Sequence, residues 1–393
     1  MMMNQPQPQP HLADAIDPDE GWSLPAWLYN DPEFFAVEMA RVIRPSWQIV
    51  CHVSDVPNAG DWRTLSLLGE SIIVVRGEDG LLRAFTNVCR HRGSRLVDGE
   101  TGCAKKLVCP YHAWVYELDG RLSGVPQRGS YPTLEAATSG LAAVEIEVWE
   151  GFIFIRLAGK GPSVAEMMAP YADEVAPYRF AEMQPVGTPW DRPRAMNWKN
   201  LCDNYSDNLH VPIAHPGLKR LFGANYTTIA NDWVDWLGGP LLPAGGAASW
   251  SERLYRRLLP GTPHLPPEKH QHWWYLKLWP NIAIDIYPDQ IDFMHFVPVS
   301  ATETRLRVMA YALPDERREM RAVRYLNERI NRLVNREDTE LVARVQDGMA
   351  SASFSVGPLS ESEVCLRSFA RKMRALMPEA RWRERPTTGW SKA

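Results

Sequence analysis

The sequence predicts an α+β protein in two parts: a small all-β domain, then a larger domain whose antiparallel sheet is closed by a long helix near the C-terminus. Three observations carry this. Short apolar runs between about residues 45 and 160 are punctuated by turns at Gly77-Glu-Asp-Gly80, Asp119-Gly120 and Glu150-Gly151, the rhythm of a small antiparallel domain. Four strand-like runs follow closely at 273–278, 282–287, 291–297 and 305–313. From about residue 315 to 349, Val323, Leu326, Ile330, Val334, Leu341 and Val345 keep spacings of three, four and seven, the stripe of a half-buried helix.

Taken in order, residues 1–20 lack periodicity, and 5–10 alternate Gln and Pro, a polar tail prone to the polyproline conformation. A helix is expected over 31–42, with Phe34, Phe35, Val37, Met39 and Val42 apolar. Strands are expected at 65–68, 71–75, 82–87, 144–148 and 152–157. Residues 198–215 have helical character, while 231–272 are rich in Gly and Pro and predict long loops. The divisions fall at 1–44 (tail and helix), 45–160 (the small β domain) and 161–393 (the larger domain), and no internal repeat is visible.

Composition narrows the class. Hydrophobic residues at 45% and charged residues at 23% over 393 residues exclude a disordered or collagen-like chain. A net charge of −4 argues against nucleic-acid binding by bulk positive charge. No apolar run reaches the length of a membrane span, and the N-terminus lacks the apolar core of a signal peptide, so a cytoplasmic location is expected. Six cysteines are too sparse for a disulfide scaffold and read as metal ligands or buried thiols.

Two constellations bear chemistry. In the first, Cys89-Arg-His91 is followed after seventeen residues by Cys109-Pro-Tyr-His112. A zinc site of two thiolates and two imidazoles is one reading. The single residue between Cys89 and His91 is tight for two bonds to one tetrahedral ion, and it is easier if each pair serves two metals. A [2Fe–2S] cluster with both cysteines on one iron and both histidines on the other does this. The spacing, with Arg92-Gly93 and Trp114 beside it, resembles the Rieske cluster motif. Arg90, Arg92, Arg95, Lys105 and Lys106 would form a basic rim suited to an acidic redox partner.

The second constellation is Asp203-Asn-Tyr-Ser-Asp207-Asn-Leu-His210-Val-Pro-Ile-Ala-His215-Pro. Residues five apart lie about 140° round a regular helix, so His210 and His215 would share a face only if Pro212 and Pro216 break the regularity. Two histidines and a carboxylate on one face of Fe(II) leave positions open for dioxygen and substrate. Over nearly its whole length the chain resembles the α (catalytic) subunit of Rieske non-haem iron oxygenases, and this implies a helix-grip, START-like catalytic domain. It implies that His210 and His215 bind iron, that Asp207 bridges to a cluster histidine of a neighbouring subunit, and that Asn204 supports that region. For the third ligand the residues nominate Asp338, four after Val334 and three before Leu341, on the apolar face of the long helix. A carboxylate there is costly unless paired or bound to metal. The family pattern agrees, with Glu337-Asp338 ahead of Val345-Gln-Asp-Gly348, and Glu337 is the fallback.

The resemblance further implies O2 as co-substrate and electrons from NAD(P)H through a separate reductase or ferredoxin. No dinucleotide fingerprint is visible in the chain itself. It also implies a homotrimer in which each cluster feeds its neighbour's iron. The substrate is expected to be a small organic molecule, an aromatic compound first and a quaternary amine such as a betaine or carnitine as the alternative. Trp233, Trp236, Trp250, Trp273, Trp274 and Tyr275 are the candidate pocket aromatics. Arg253, Arg256 and Arg257 read as an exposed helix face, and His270, His272 and His295 as structural. The competing non-enzyme reading is a Rieske-type electron carrier.

Overall fold

The computed structural model describes residues 17–243, 249–259 and 261–387. The described chain divides into two compact units, one spanning Ser46–Gly159, the other joining the residues up to Pro45 with those from Lys160 onward.

The small unit is built on ten strands: β1 (Gln48–His52), β2 (Asp61–Leu67), β3 (Glu70–Arg76), β4 (Leu82–Thr86), β5 (Thr101–Cys103), β6 (Leu107–Val108), β7 (Val115–Tyr116), β8 (Leu122–Gly124), β9 (Ala143–Trp149) and β10 (Phe152–Arg156). Seven of them form one sheet in the order β1-β10-β9-β4-β3-β2-β5, and β6-β7-β8 form a second. The β2–β3 and β9–β10 hairpins turn on two residues each, Leu68-Gly69 and Glu150-Gly151, all four with positive φ. That conformation matches strand twist and explains a glycine at each second position. Ile73, Val75, Phe85, Leu107, Trp114 and Tyr116 share one core, so the three-stranded sheet and its loops are packed on the larger one.

In the larger unit, seven antiparallel strands run in the order β11-β17-β16-β15-β14-β13-β12. They are β11 (Gln184–Arg194), β12 (Thr227–Ile229), β13 (Val234–Pro240), β14 (His272–Leu278), β15 (Ile282–Ile286), β16 (Ile291–Ser300) and β17 (Glu303–Ala312). The helices that position the site are α1 (Pro32–Glu38), α2 (Trp198–Ser206), α3 (Val211–Ala214), α4 (Pro216–Phe222), α5 (Trp250–Leu258), α6 (Arg318–Met349) and α7 (Val364–Leu376). Val323, Leu326 and Ile330 of α6 join Leu221, Leu237, Tyr255 and Trp273 in one core, so the long helix lies against the sheet.

Three expectations are corrected. Residues 231–272 are not all loop: β13 pairs along its whole length with β14, and α5 starts at a Ser249–Glu252 capping box. Residues 244–248 and 260, also in that span, lie outside the described residues. The stripe of α6 slips by one position beyond Asp338, burying Val342 and Gln346 while Val345 is 47% exposed. The cause is the partner there: the Gln346 side chain accepts hydrogen bonds from the Asn197 backbone and the Asn200 amide, and donates to Asn30. Arg256, read as exposed, is buried and donates to the carbonyls of Leu242 and Pro243. Among the described residues no helix is long and apolar enough to cross a membrane.

Candidate metal centres

The small unit presents two loops of matching construction. In the first, the Cys89 N–H donates to the Ser94 carbonyl at 2.7 Å and the Gly93 N–H to the Cys89 carbonyl at 3.1 Å. In the second, the Cys109 N–H donates to the Trp114 carbonyl at 2.8 Å and the Ala113 N–H to the Cys109 carbonyl at 3.0 Å. Each loop reverses on a residue of positive φ four after its cysteine, Gly93 at 76° and Ala113 at 53°. The second cysteine loop joins β6 to β7, and the first follows β4.

These loops bring the four residues together. Both cysteines are buried, and the His91 and His112 ring centroids are 4.6 Å apart. His91 stacks on Trp114, with planes 7° apart, and meets the edge of Tyr131. Tyr116 lies 3.3 Å from the Cys89 sulfur through its hydroxyl, which also accepts the Arg90 N–H. Burial pushes the Cys89 thiol up, against the Tyr116 hydroxyl that lowers it. At Cys109 burial acts in the same sense but is outweighed by the backbone N–H groups of His112 and Tyr111, which lower it. The Nδ1 atom of His91 is buried with no hydrogen-bond partner. A buried imidazole nitrogen left without a proton partner costs free energy, and coordination to a metal relieves it. Two soft thiols and two imidazoles on facing loops fit a [2Fe–2S] cluster.

The second centre forms where α2 ends. The helix stops at Ser206 because Asp207 turns extended, and its carboxylate accepts the N–H groups of Leu209 and His210. Four residues of helix, α3 with Pro212 in its first turn, then separate His210 from His215. This break defeats the 140° offset of a regular helix and lets both rings meet Asp338, which α6 carries from 123 residues further on. His215 Nε2 lies 2.8 Å and His210 Nε2 3.5 Å from the same Asp338 oxygen. One ligand atom from each of the three lies within 4.8 Å of the others.

The opposite ring nitrogens are also held. His210 Nδ1 is 3.0 Å from Asp207 Oδ2, and His215 Nδ1 is 2.8 Å from Glu337 Oε2. Such outer carboxylates fix the tautomer and aim the metal-binding nitrogen. Glu337, the fallback for Asp338, is therefore placed behind His215 rather than in the ligand set. Asn204 donates to Asp338 Oδ1 at 3.2 Å and lies 3.4 Å from His210 Nε2. Burial opposes a charge on His210, yet the Asp207 and Asp338 carboxylates outweigh it and raise the ring to about 9. Burial likewise pushes Asp338 up, and the two imidazoles pull it below its ordinary value. Two imidazoles and a carboxylate so arranged fit a single ferrous ion with open positions.

These three residues line a cavity of about 900 Å³. Its walls correct the expected aromatic set: of the six candidates only Tyr275 lines it, joined by Tyr205, Tyr226 and Phe296. Trp236 and Trp273 are core residues and Trp250 is 48% exposed. Sequence reasoning also missed Asp285, a buried residue of the cavity lining that accepts the Tyr205 hydroxyl at 2.5 Å and the Tyr287 hydroxyl at 3.1 Å. Its signal is present in β15, an acidic residue in an otherwise apolar, fully buried strand. His295 is fully buried beside Arg307 and stays structural.

Comparison with known proteins identifies the family. A Rieske [2Fe-2S] domain model matches residues 46–136, and a model of the ring hydroxylating alpha subunit (catalytic domain) matches 180–379. The chain belongs to the ring-hydroxylating α-subunit family of Rieske oxygenases. It is thus an oxidoreductase whose two domains bind a [2Fe–2S] cluster and a mononuclear iron, and whose family works with a reductase, O2 and a small-molecule substrate.

Among relatives, it is 31% identical over 353 residues to the carnitine monooxygenase oxygenase subunit of Escherichia coli (strain K12), covering 86% of this chain and 87% of that one. It is 39% identical over 207 residues to the glycine betaine monooxygenase oxygenase subunit of Chromohalobacter salexigens, covering 52% and 46%. Its fold matches the crystal structure of the quaternary ammonium Rieske monooxygenase CntA in complex with L-carnitine, with a TM-score of 0.75, 23% identity, and coverage of 94% and 99%.

Proposed function

We propose that this chain is the terminal oxygenase of a quaternary amine monooxygenase. Cys89 and Cys109 hold one iron of the cluster and His91 and His112 the other, while His210, His215 and Asp338 hold the mononuclear iron. One observation carries the substrate reading: the cavity that reaches the iron residues is lined by Tyr205, Tyr226, Tyr275 and Asp285, whose carboxylate accepts the Tyr205 hydroxyl and sits across the strand pair from Tyr275. Aromatic faces and a desolvated carboxylate together select a cation that has no proton to donate. A neutral aromatic ring would stack on the same walls but leave the buried charge uncompensated.

The charge state of the pocket follows from burial. Burial raises Asp285 to about 6, against the Tyr205 and Tyr287 hydroxyls that lower it. Asp292 is raised well above its ordinary value, by burial first and then by Asp285 and Asp289. With its value near 6, Asp285 is ionised at neutral pH and supplies the negative charge of the pocket. The substrates named for the relatives, carnitine and glycine betaine, support the quaternary amine, which was the alternative, over the aromatic compound that the sequence put first.

In the overall reaction a C–H bond next to the quaternary nitrogen becomes C–OH, while O2 takes up two electrons and two protons and its second oxygen leaves as water. The iron, when bound, supplies dioxygen activation, and the cluster supplies electrons. The chain's own residues do the rest. Asp207 and Glu337 fix the two rings, Asn204 fixes Asp338, and the tyrosines hold the cation with a methyl or methylene group facing the open side. We assign the resemblance-implied homotrimer to this reading, with Asp207 as the bridge between neighbouring centres. Oxygen uptake with a surrogate reductase tests it: L-carnitine, γ-butyrobetaine or glycine betaine should drive uptake coupled to an oxidised product, and benzoate-type acids should not. Coupled turnover of an aromatic acid, with none for any quaternary amine, would overturn it.

A further inference from the structure

The same cavity carries a second charged feature at the sheet edge. Trp190, Arg192 and Arg194 alternate along β11, so all three face the cavity, while Asp191 between them turns away to pair with Arg305. Most other arginines that line the cavity are already matched. Arg321 pairs with Glu316, Arg332 pairs with Glu328, and Arg324 donates to the carbonyls of Asp289 and Leu313. Among the described residues no carboxylate pairs with Arg192 or Arg194.

Arg194 is half-buried. Its guanidinium lies over the Trp190 ring, 4.8 Å from the centroid, and donates to Asn335 at 3.1 Å and to the Pro193 carbonyl at 3.2 Å. Its Nε is buried without a partner. Burial, and then the neighbouring charge of Arg192, make the protonated form of Arg194 harder to hold. A half-buried guanidinium with a second one beside it and no carboxylate partner is an arrangement that an incoming anion stabilises.

Position sets the kind of anion. Asn335 precedes Asp338 by three residues, about 4.5 Å of helix rise, so Arg194 is bonded to a residue one turn before an iron residue and opens into the same cavity. Asp285 is on β15, three strands from β11, roughly 14 Å across the sheet. The cavity is therefore dipolar, negative at Asp285 among the tyrosines and positive at β11. We infer that Arg194, supported by Arg192, is the specificity-determining residue that reads an anionic group several bonds away from the quaternary nitrogen, so that the preferred substrate is a zwitterion and not a simple cation. The inference rests on the quaternary amine reading above and adds to it the second charge.

The test uses the holoenzyme and a matched pair of probes, γ-butyrobetaine and its methyl ester, which keep the same cation and differ by one negative charge. Calorimetry under anaerobic conditions should find the acid bound about 10- to 100-fold more tightly than the ester, the size of a charge-assisted hydrogen-bonded pair. Arg194→Gln, which removes the charge and keeps a polar side chain, should bring the two probes to within a factor of about 2–3 by weakening the acid alone. Arg194→Lys should restore part of the gap, and Arg192→Ala, at an exposed position, should narrow it. In turnover the Gln variant should raise KM for the acid with kcat held at saturation. A purely structural role would weaken acid and ester alike, and that result overturns the inference. Equal binding of both probes by the unmodified enzyme also sinks it while leaving the quaternary amine reading in place. Binding of neither probe sinks both.

Discussion

At the scale of single residues, the proposed iron site is a set of three candidate ligands each held by a second group. Glu337 is the clearest case, because it touches only the far nitrogen of His215. Glu337→Gln should lower metal affinity about 10- to 100-fold and leave the visible absorption of the cluster unchanged; iron analysis after dialysis reads this, and full retention of iron would remove Glu337 from the site. Asp207→Ala should abolish product formation with an intact cluster spectrum, since it frees His210 and removes the proposed bridge, and undiminished turnover would end that role. Asp285 sets the pH response of binding. A cation needs the ionised carboxylate, so affinity for γ-butyrobetaine should hold above about pH 6 and decline by up to about tenfold per unit below it, as Asp285 takes up its proton. Asp285→Asn should bind weakly at every pH without that slope. Folding responds with the opposite sign. The folded value is raised from 3.8 to about 6, so the stability contributed by the neutral form is fully present below 3.8 and lost as pH rises through 6.

At the scale of elements, the helix that leads into the iron residues is anchored by a buried ion pair. Lys199 of α2 lies 2.8 Å from Glu38 at the end of α1, and both side chains are fully buried. Glu38 also accepts the Trp198 indole N–H, and Lys199 donates to the Leu28 carbonyl. Burial penalises both charges, raising Glu38 and lowering Lys199, and their attraction opposes it. Lys199→Met strands the carboxylate and should cost roughly 3–5 kcal/mol in chemical unfolding, much of it recovered in the Glu38→Met/Lys199→Met double variant. A loss under about 1 kcal/mol would show that the pair does not anchor the helix. This anchor was not legible in the sequence, because it joins residues 161 positions apart and neither carries a motif. The residues that the structure brings together were legible as candidates, since Cys89-x-His91 and Asp207-x₂-His210 are local and chemically specific, and Asp338 stood out as an acid in an apolar stripe. Strand β11 was hidden for a different reason: Pro185, Pro189 and Pro193 mask a strand, and a sheet edge is where proline is tolerated. With β11 unseen, Arg192 and Arg194 carried no signal either.

At the scale of the whole molecule, the chain places two redox centres in two compact units, and the proposed trimer requires electrons to cross from one subunit to the next. That route makes a prediction distinct from transfer within one chain. Cys89→Ser disables the cluster and leaves the iron residues intact, whereas Asp338→Ala disables the iron and leaves the cluster intact; neither trimer made of one variant can turn over by either route. Co-expressing the two with different affinity tags and purifying through both selects rings that hold at least one subunit of each kind. Around a closed ring of three with a fixed direction, any such mixture contains one junction at which a cluster-bearing subunit faces an iron-bearing neighbour, so activity should be roughly one third of the unmodified trimer. Transfer within a subunit gives none, because no single chain holds both centres. A chain that does not assemble gives no doubly tagged species at all. The visible spectrum of the Asp338→Ala protein and the iron content of the Cys89→Ser protein, with His112→Ala as a second cluster variant, show that each partner retains the centre it is meant to supply. Activity near one third therefore selects the ring, and a doubly tagged but inactive species rejects it.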